Sequence, residues 1–230
     1  MSREAVLGAI RRGLKRGALP DDQAAMLRDR LAHHPRHLIP LRTRVSRAKQ
    51  IDLLVHYIER EFGTVDRLPE PGAVPAALAT YLAAHNLPSQ GVMAPHPELQ
   101  AIPWSERPML RLREGRAEAS DLVSVQHAFA AIAETGTLML PSAPERPTTL
   151  NLLPDTAVVV LRSSRVVGAY EEAWDLLRLN GAIPRNVMLV TGPSRSADIE
   201  QTLELGAHGP RRLHVLLIED DPAAKHPAVA

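Results

Sequence analysis

The stretch Leu189-Val190-Thr191-Gly192-Pro193-Ser194-Arg195-Ser196-Ala197-Asp198-Ile199-Glu200 decides how the chain is read, together with Gly206-Ala207-His208-Gly209-Pro210 just after it. Asn186-Val187-Met188-Leu189-Val190 is a short apolar run bounded by turn residues. It predicts a buried strand that ends where Gly192-Pro193 turns the backbone. Beyond the corner, Ser194 and Ser196 are good helix caps, Asp198 and Glu200 place carboxylates in a first turn, and Ile199, Leu203 and Leu205 supply an apolar stripe. The pattern predicts a helix. A strand, a glycine corner and a helix start leave backbone N–H groups free to meet an anion, with Arg195 beside them. The stretch therefore reads as a ligand-binding edge.

Working outward, residues 74–220 alternate short helices and strands, the pattern of an α/β protein with a mostly parallel sheet flanked by helices. Strands are predicted at 91–94, 109–112, 122–125, 138–140, 157–161, 166–167 and 213–218, and helices at 76–85 and 170–179. The front is different. Val6, Leu7, Ile10 and Leu14 recur at helical spacing among Arg3, Arg11, Arg12, Lys15 and Arg16, a second helix is predicted at 21–32, and Ile51, Leu54, Val55, Ile58 and Phe62 mark a third from about Thr43. Residues 63–75 are rich in Pro and Gly and read as a linker. The expected organisation is a basic helical extension over 1–66 and an α/β domain over 74–220.

Composition bounds the function. With 45% hydrophobic residues in 230, the chain can bury a substantial core, but its seven aromatics leave few platforms for stacking bases, so nucleic acid is an unlikely partner. The chain has no cysteine, so no iron–sulfur cluster is held by thiolates of its own. Residues 1–50 hold twelve Lys or Arg against four Asp or Glu, a balance of +8 that leaves −7 for the rest. No apolar run has the length of a transmembrane helix, and charges interrupt any signal-peptide core at the start, which predicts a cytoplasmic protein. His33-His34-Pro35-Arg36-His37 lacks a completing carboxylate and is broken by Pro35, so it reads as a polar loop and no metal site is expected.

Thr191 to Glu200, Gly206-Ala207-His208-Gly209-Pro210 and Leu213-His214-Val215-Leu216-Leu217-Ile218 resemble the closing signature of the LUD-domain family, in its lactate-utilisation protein C branch. Ala130-Ala131-Ile132-Ala133-Glu134-Thr135-Gly136-Thr137-Leu138 resembles the family's other signature. The resemblance runs over roughly residues 85–218. It implies a fold akin to the phosphosugar-isomerase and coenzyme A transferase group. It also implies a subunit of a cytoplasmic system that oxidises L-lactate to pyruvate, with the clusters on iron–sulfur partner subunits. It does not assign a catalytic residue.

Two loops are the candidate site, because ligands of open α/β sheets bind where strands and helices meet. The anion or ligand contacts expected are Thr135, Gly136 and Thr137 from the first, Gly192, Ser194, Arg195 and Ser196 from the second, and His208. Arg195 is favoured over Arg146 for pairing with a carboxylate or phosphate, the structural alternative being a bridge to Asp155, Asp198 or Glu200. Glu134 is the candidate catalyst, by fold-level likeness to coenzyme A transferases that use a glutamate covalently. Gly192 to Ser196 nearly spells a nucleophile elbow, but Ser196 stands where the elbow needs Gly. Walker and Gly-x-Gly-x-x-Gly fingerprints are absent. Two alternatives stand beside the lactate reading: an independent enzyme on a phosphorylated or coenzyme A-linked substrate through Glu134, and a non-catalytic assembly protein that docks through its basic front.

Overall fold

The computed structural model describes every residue except Met1, Arg16, Ala18, Ala182, residues 198–202 and residues 222–230. The chain divides into two compact units, Met1–Leu38 and Ile39–Ala230. In the first, helix α1 (Arg3–Gly13) begins where the Ser2 hydroxyl accepts from the Ala5 N–H and ends with Arg11 and Arg12 in its last turn, where cations suit the dipole. Helix α2 (Asp21–His33) opens on Asp21 and Asp22 and stops at His34, which is left-handed. Neither helix buries a residue, so each apolar stripe stays exposed.

The second unit is α/β. Its strands in chain order are β1 (Thr64–Leu68), β2 (Gln90–Met93), β3 (Arg111–Glu114), β4 (Val123–His127), β5 (Ala130–Ile132), β6 (Thr137–Pro141), β7 (Thr156–Arg162), β8 (Val166–Val167), β9 (Val187–Val190), β10 (Arg195–Ala197), β11 (Leu203–Leu205) and β12 (Arg212–Ile218). Helices α3 (Arg47–Arg60), α4 (Val74–Ala84), α5 (Pro97–Gln100) and α6 (Tyr170–Leu179) complete it. The main sheet has the order β1-β12-β7-β4-β2-β3 and every pairing in it is parallel. A second sheet, β8-β5-β6-β9, is mixed: β5 runs parallel to β8 and antiparallel to β6, which pairs antiparallel with β9.

Strand periodicity explains the layers. In β7 and β12, Val158, Val160, Leu216 and Ile218 face one side and pack with Leu78, Tyr81 and Leu82 of α4. Their neighbours Ala157, Val159, Leu161, Val215 and Leu217 face the other side, against Ile51, Leu54 and Ile58 of α3 and Ala131 and Leu138 of the second sheet. These central strands are apolar on both faces because both faces are covered. A third cluster joins Phe129, Ile132 and Met139 to Ala173 and Leu177 of α6.

Three expectations change. The linker at 63–75 instead carries β1, the edge of the main sheet, paired Thr64 to His214 through Leu68 to Ile218. Helix α3, read with the basic front, is a core element of the α/β unit: Leu54 and Ile58 are fully buried. The helix expected after Gly192-Pro193 is a β-hairpin, with Arg195 opposite Leu205 and Ala197 opposite Leu203. Asp198, Ile199 and Glu200, on which part of that helical reading rested, lie outside the described residues.

Candidate functional site

The two signatures are neighbours. Strands β6 and β9 pair with Leu138 opposite Val190, and one residue further on Thr137 and Thr191 share a hydrogen bond of 2.6 Å. The Tyr170 hydroxyl completes the group, 3.0 Å from the Thr135 Oγ1 and 2.9 Å from the Thr137 Oγ1. This network of hydroxyls ties the first signature to α6 and to the second signature.

Both signature glycines meet the same helix. Gly136 has φ +69°, and a Cβ there would come 2.7 Å from the Ile58 backbone nitrogen of α3. Gly192 has φ +75°, and a Cβ there would collide with the carbonyl oxygen of Glu61, the residue that ends α3. The backbone conformation and the close approach both require glycine, so these positions seat the loops on α3.

The second signature walls a cavity of about 300 Å³ that includes Gln126, Asn151, Thr191, Ser194, Arg195 and His208, with Gly192 and Gly209 in its lining. Asn151 is 8% exposed and its Oδ1 has no hydrogen-bond partner among the described residues. Arg195 donates to Glu61 at 2.8 Å and lies over the Phe62 ring. Its bridge is thus made to the end of α3, while Asp155 pairs with Arg211 and Asp198 and Glu200 lie outside the described residues. The Ser194 hydroxyl accepts from the His208 N–H at 3.4 Å. At this corner the Ser194 N–H donates to the Pro210 carbonyl at 2.8 Å, and Arg195–Ala197 are strand.

Of the residues read from the sequence, Gly192, Ser194, Arg195 and His208 line this cavity. Thr135, Gly136 and Thr137 sit beside its wall through Thr191 but are not in its lining. Ser196 is in the hairpin, opposite Glu204. Glu134 lies apart, with Arg42 donating to its Oε1 at 3.3 Å.

A second group of polar residues stands at the carboxyl ends of the main strands, where open parallel sheets place ligands. Adjacent strands β7 and β4 end at Arg162 and His127, Asp220 lies two residues past their neighbour β12, and His96 and Glu98 follow β2. The His96 and His127 rings stack at 4.4 Å and 8°. His127 is 3% exposed, and neither of its ring nitrogens makes a hydrogen bond, although Nε2 lies 3.2 Å from Glu98 Oε2. Arg162 donates to Glu98 and to Asp220. Contact with His127 and Arg162 outweighs burial and holds the Glu98 carboxyl well below the usual carboxylate range. Burial, with the neighbouring His127 and Arg146, pushes the His96 imidazole down to about 4. These residues carry no motif. Their one signal in the sequence is position, immediately after apolar strand runs. Among the described residues, no group of three or more His, Asp or Glu is placed to hold a metal ion, and no helix is long and apolar enough to cross a membrane.

The site thus sits on a parallel α/β sheet closed on one face by a small mixed sheet, with the two signatures joined by a threonine pair. The LUD-domain family model matches residues 112–218, somewhat under half of the chain. The chain is 45% identical over 91 residues to an uncharacterized protein of Neisseria meningitidis, a match covering 39% of each chain. It is 37% identical over 93 residues to Lactate utilization protein C of Bacillus subtilis, again covering 39% of each, and 34% identical over 109 residues to the Bacillus licheniformis protein of that name, covering 46% of this chain and 45% of the other. The matches thus span less than half the length of these relatives. A crystal structure of a DUF162 family protein from Deinococcus radiodurans shares the fold, with TM-score 0.57 and 19% identity over 76% of this chain and 99% of that one.

Proposed function

We propose that the chain serves L-lactate utilisation as a subunit that binds a small carboxylate at the signature cavity and leaves electron transfer to iron–sulfur partner subunits. One observation carries the ligand reading: a guanidinium, a histidine and an unsatisfied amide oxygen line one cavity of about 300 Å³. A 2-hydroxy acid matches that set, its carboxylate meeting Arg195 and its hydroxyl donating to Asn151 Oδ1. The relatives named for lactate utilisation support the substrate class. The absence of cysteine from the sequence supports placing thiolate-bound clusters on other chains. Glu134 is less favoured as the centre of an independent enzyme, since it pairs with Arg42 away from the cavity lining.

The test is reconstitution. The chain mixed with its iron–sulfur partners supports L-lactate-dependent reduction of an electron-accepting dye, and Arg195→Gln raises the KM for lactate. Undiminished turnover by the partners without this chain, or lactate oxidation by the isolated chain with no added cofactor, overturns the proposal.

A further inference from the structure

The loop between β6 and β7 borders a different cavity, of about 480 Å³, and its polar lining consists of donors: the guanidiniums of Arg116, Arg146 and Arg185 and the hydroxyls of Ser142, Thr148 and Thr149. Two of those hydroxyl oxygens are already occupied as acceptors. Ser142 accepts from the Asn186 N–H at 3.1 Å and Thr149 from the Ala117 N–H at 3.1 Å. Each therefore has its proton left to give. Among the described residues, the one carboxylate that pairs with any of the three arginines is Glu145, 3.6 Å from Arg146 Nη1.

Arg146 is the half-buried member of the set, Arg116 and Arg185 being exposed. Its guanidinium lies over Phe129, and its buried Nε has no hydrogen-bond partner among the described residues. Its Nη2 lies 3.1 Å from His96 Nε2, while the Glu98 N–H points at His96 Nδ1 from 3.2 Å. A neutral imidazole offers one donor and one acceptor, so a ring with donors on both sides has one of them opposed by an N–H whichever tautomer forms. Burial also holds the guanidinium below its ordinary pKa, yet it stays charged. The half-buried cation is short of acceptors, and an oxyanion in the cavity would supply them. Drawing Nη2 into the cavity frees His96 Nε2 to carry its proton.

We propose that this cavity binds a phosphoryl group, held by Arg146 with Arg116 and Arg185 and by the Ser142, Thr148 and Thr149 hydroxyls. Three guanidiniums against one carboxylate exceed what a monocarboxylate needs and suit a dianion. The site is separate from the signature cavity and does not depend on the lactate reading. Through Arg146 its occupancy reaches His96, and from there the stacked His127 at the carboxyl edge of the sheet.

Calorimetric titration of inorganic phosphate into the full chain, at fixed ionic strength, reads the affinity. Losing one charge-assisted contact in Arg146→Gln lowers it about tenfold or more. Arg185→Gln, at an exposed position, lowers it several-fold with an unchanged melting temperature, which separates binding from folding. Arg195→Gln, in the other cavity, leaves phosphate affinity unchanged, and L-lactate does not compete. No phosphate binding by the native chain, or native affinity in both Arg146→Gln and Arg185→Gln, overturns the site. Equal competition by L-lactate overturns the phosphoryl assignment and marks the cavity as a general carboxylate site.

Discussion

Arg195 Nη2 lies 2.8 Å from Glu61 Oε2, and the guanidinium carbon is 4.5 Å from the centroid of the Phe62 ring. The second signature is therefore clamped to the end of α3 by an ion pair and a cation–π contact together. The clamp sets where the guanidinium stands at the cavity, and its carboxylate competes with any anion that enters.

Glu61→Gln removes that competitor and keeps the side-chain shape. We expect it to strengthen L-lactate binding several-fold, read by chemical-shift titration. The pair is a quarter to a third exposed, so loss of its charge costs stability by about 1 kcal/mol or less. Weaker lactate binding in Glu61→Gln would show that the carboxylate positions Arg195 more than it masks it.

The signature glycines give a stability test. Ala at Gly136 or Gly192 combines a positive φ with a Cβ driven into α3 backbone, and we expect each to cost about 2 kcal/mol or more in urea denaturation. Gly72→Ala is the control: its nearest neighbour is the Glu70 side chain at 3.8 Å, and it should stay within about 0.5 kcal/mol of native. Equal effects at all three positions would remove the close-approach argument.

The strands that the sequence reveals most clearly are those buried on both faces. Residues 157–161 and 213–218 lie within β7 and β12, and α6 spans the 170–179 expected, because apolar runs and helical spacing are strong where burial is complete. Strand β1 has the opposite character: Thr64-Val65-Asp66-Arg67-Leu68 is an edge strand with Leu68 as its one buried residue, so no pattern announces it. The hairpin of β10 and β11 was masked by good capping residues and an apolar stripe, local signals that tertiary contacts override. The stripe of α3 was legible, but not what covers it. Half of the proposed cavity was readable as Gly192, Ser194, Arg195 and His208. Asn151 and Gln126 come from distant segments, and only the fold brings them in.

Helix α3 gives a third test. Leu54→Ala leaves a cavity between the main sheet and the second sheet, where Leu54 is fully buried. We expect a loss of about 2–5 kcal/mol in denaturant unfolding. Ile10→Ala in α1 changes a residue that is 51% exposed and should shift stability by about 0.5 kcal/mol or less. A small effect at Leu54 would return α3 to the status of a detachable extension.

Two buried histidines with lowered pKa values give a prediction for acid stability. His214 stacks on Tyr81 at 3.8 Å, and its Nδ1 shares a hydrogen bond of 2.8 Å with Thr64. Its Nε2 lies 3.6 Å from Asp66 without a hydrogen bond, and His85 bears on it from α4's end. Burial pushes His214 down to about 4, against the weaker pull of Asp66, and His96 stands at about the same value. In the unfolded chain both titrate near their ordinary value of about 6.5. Between those limits the unfolded state holds more protons than the native one, so stability falls as pH is lowered from about 6.5 towards 4. Each histidine contributes up to roughly 3 kcal/mol to that loss, and Glu98, whose pKa is depressed, adds more below the ordinary carboxylate range. We expect urea midpoints measured from pH 7 to 4.5 to fall steadily. His214→Gln should start lower at pH 7 and show a shallower slope, because it removes one of the two protonations. A flat profile in the native chain, or an unchanged slope in His214→Gln, would mean that water reaches these rings before the protein unfolds.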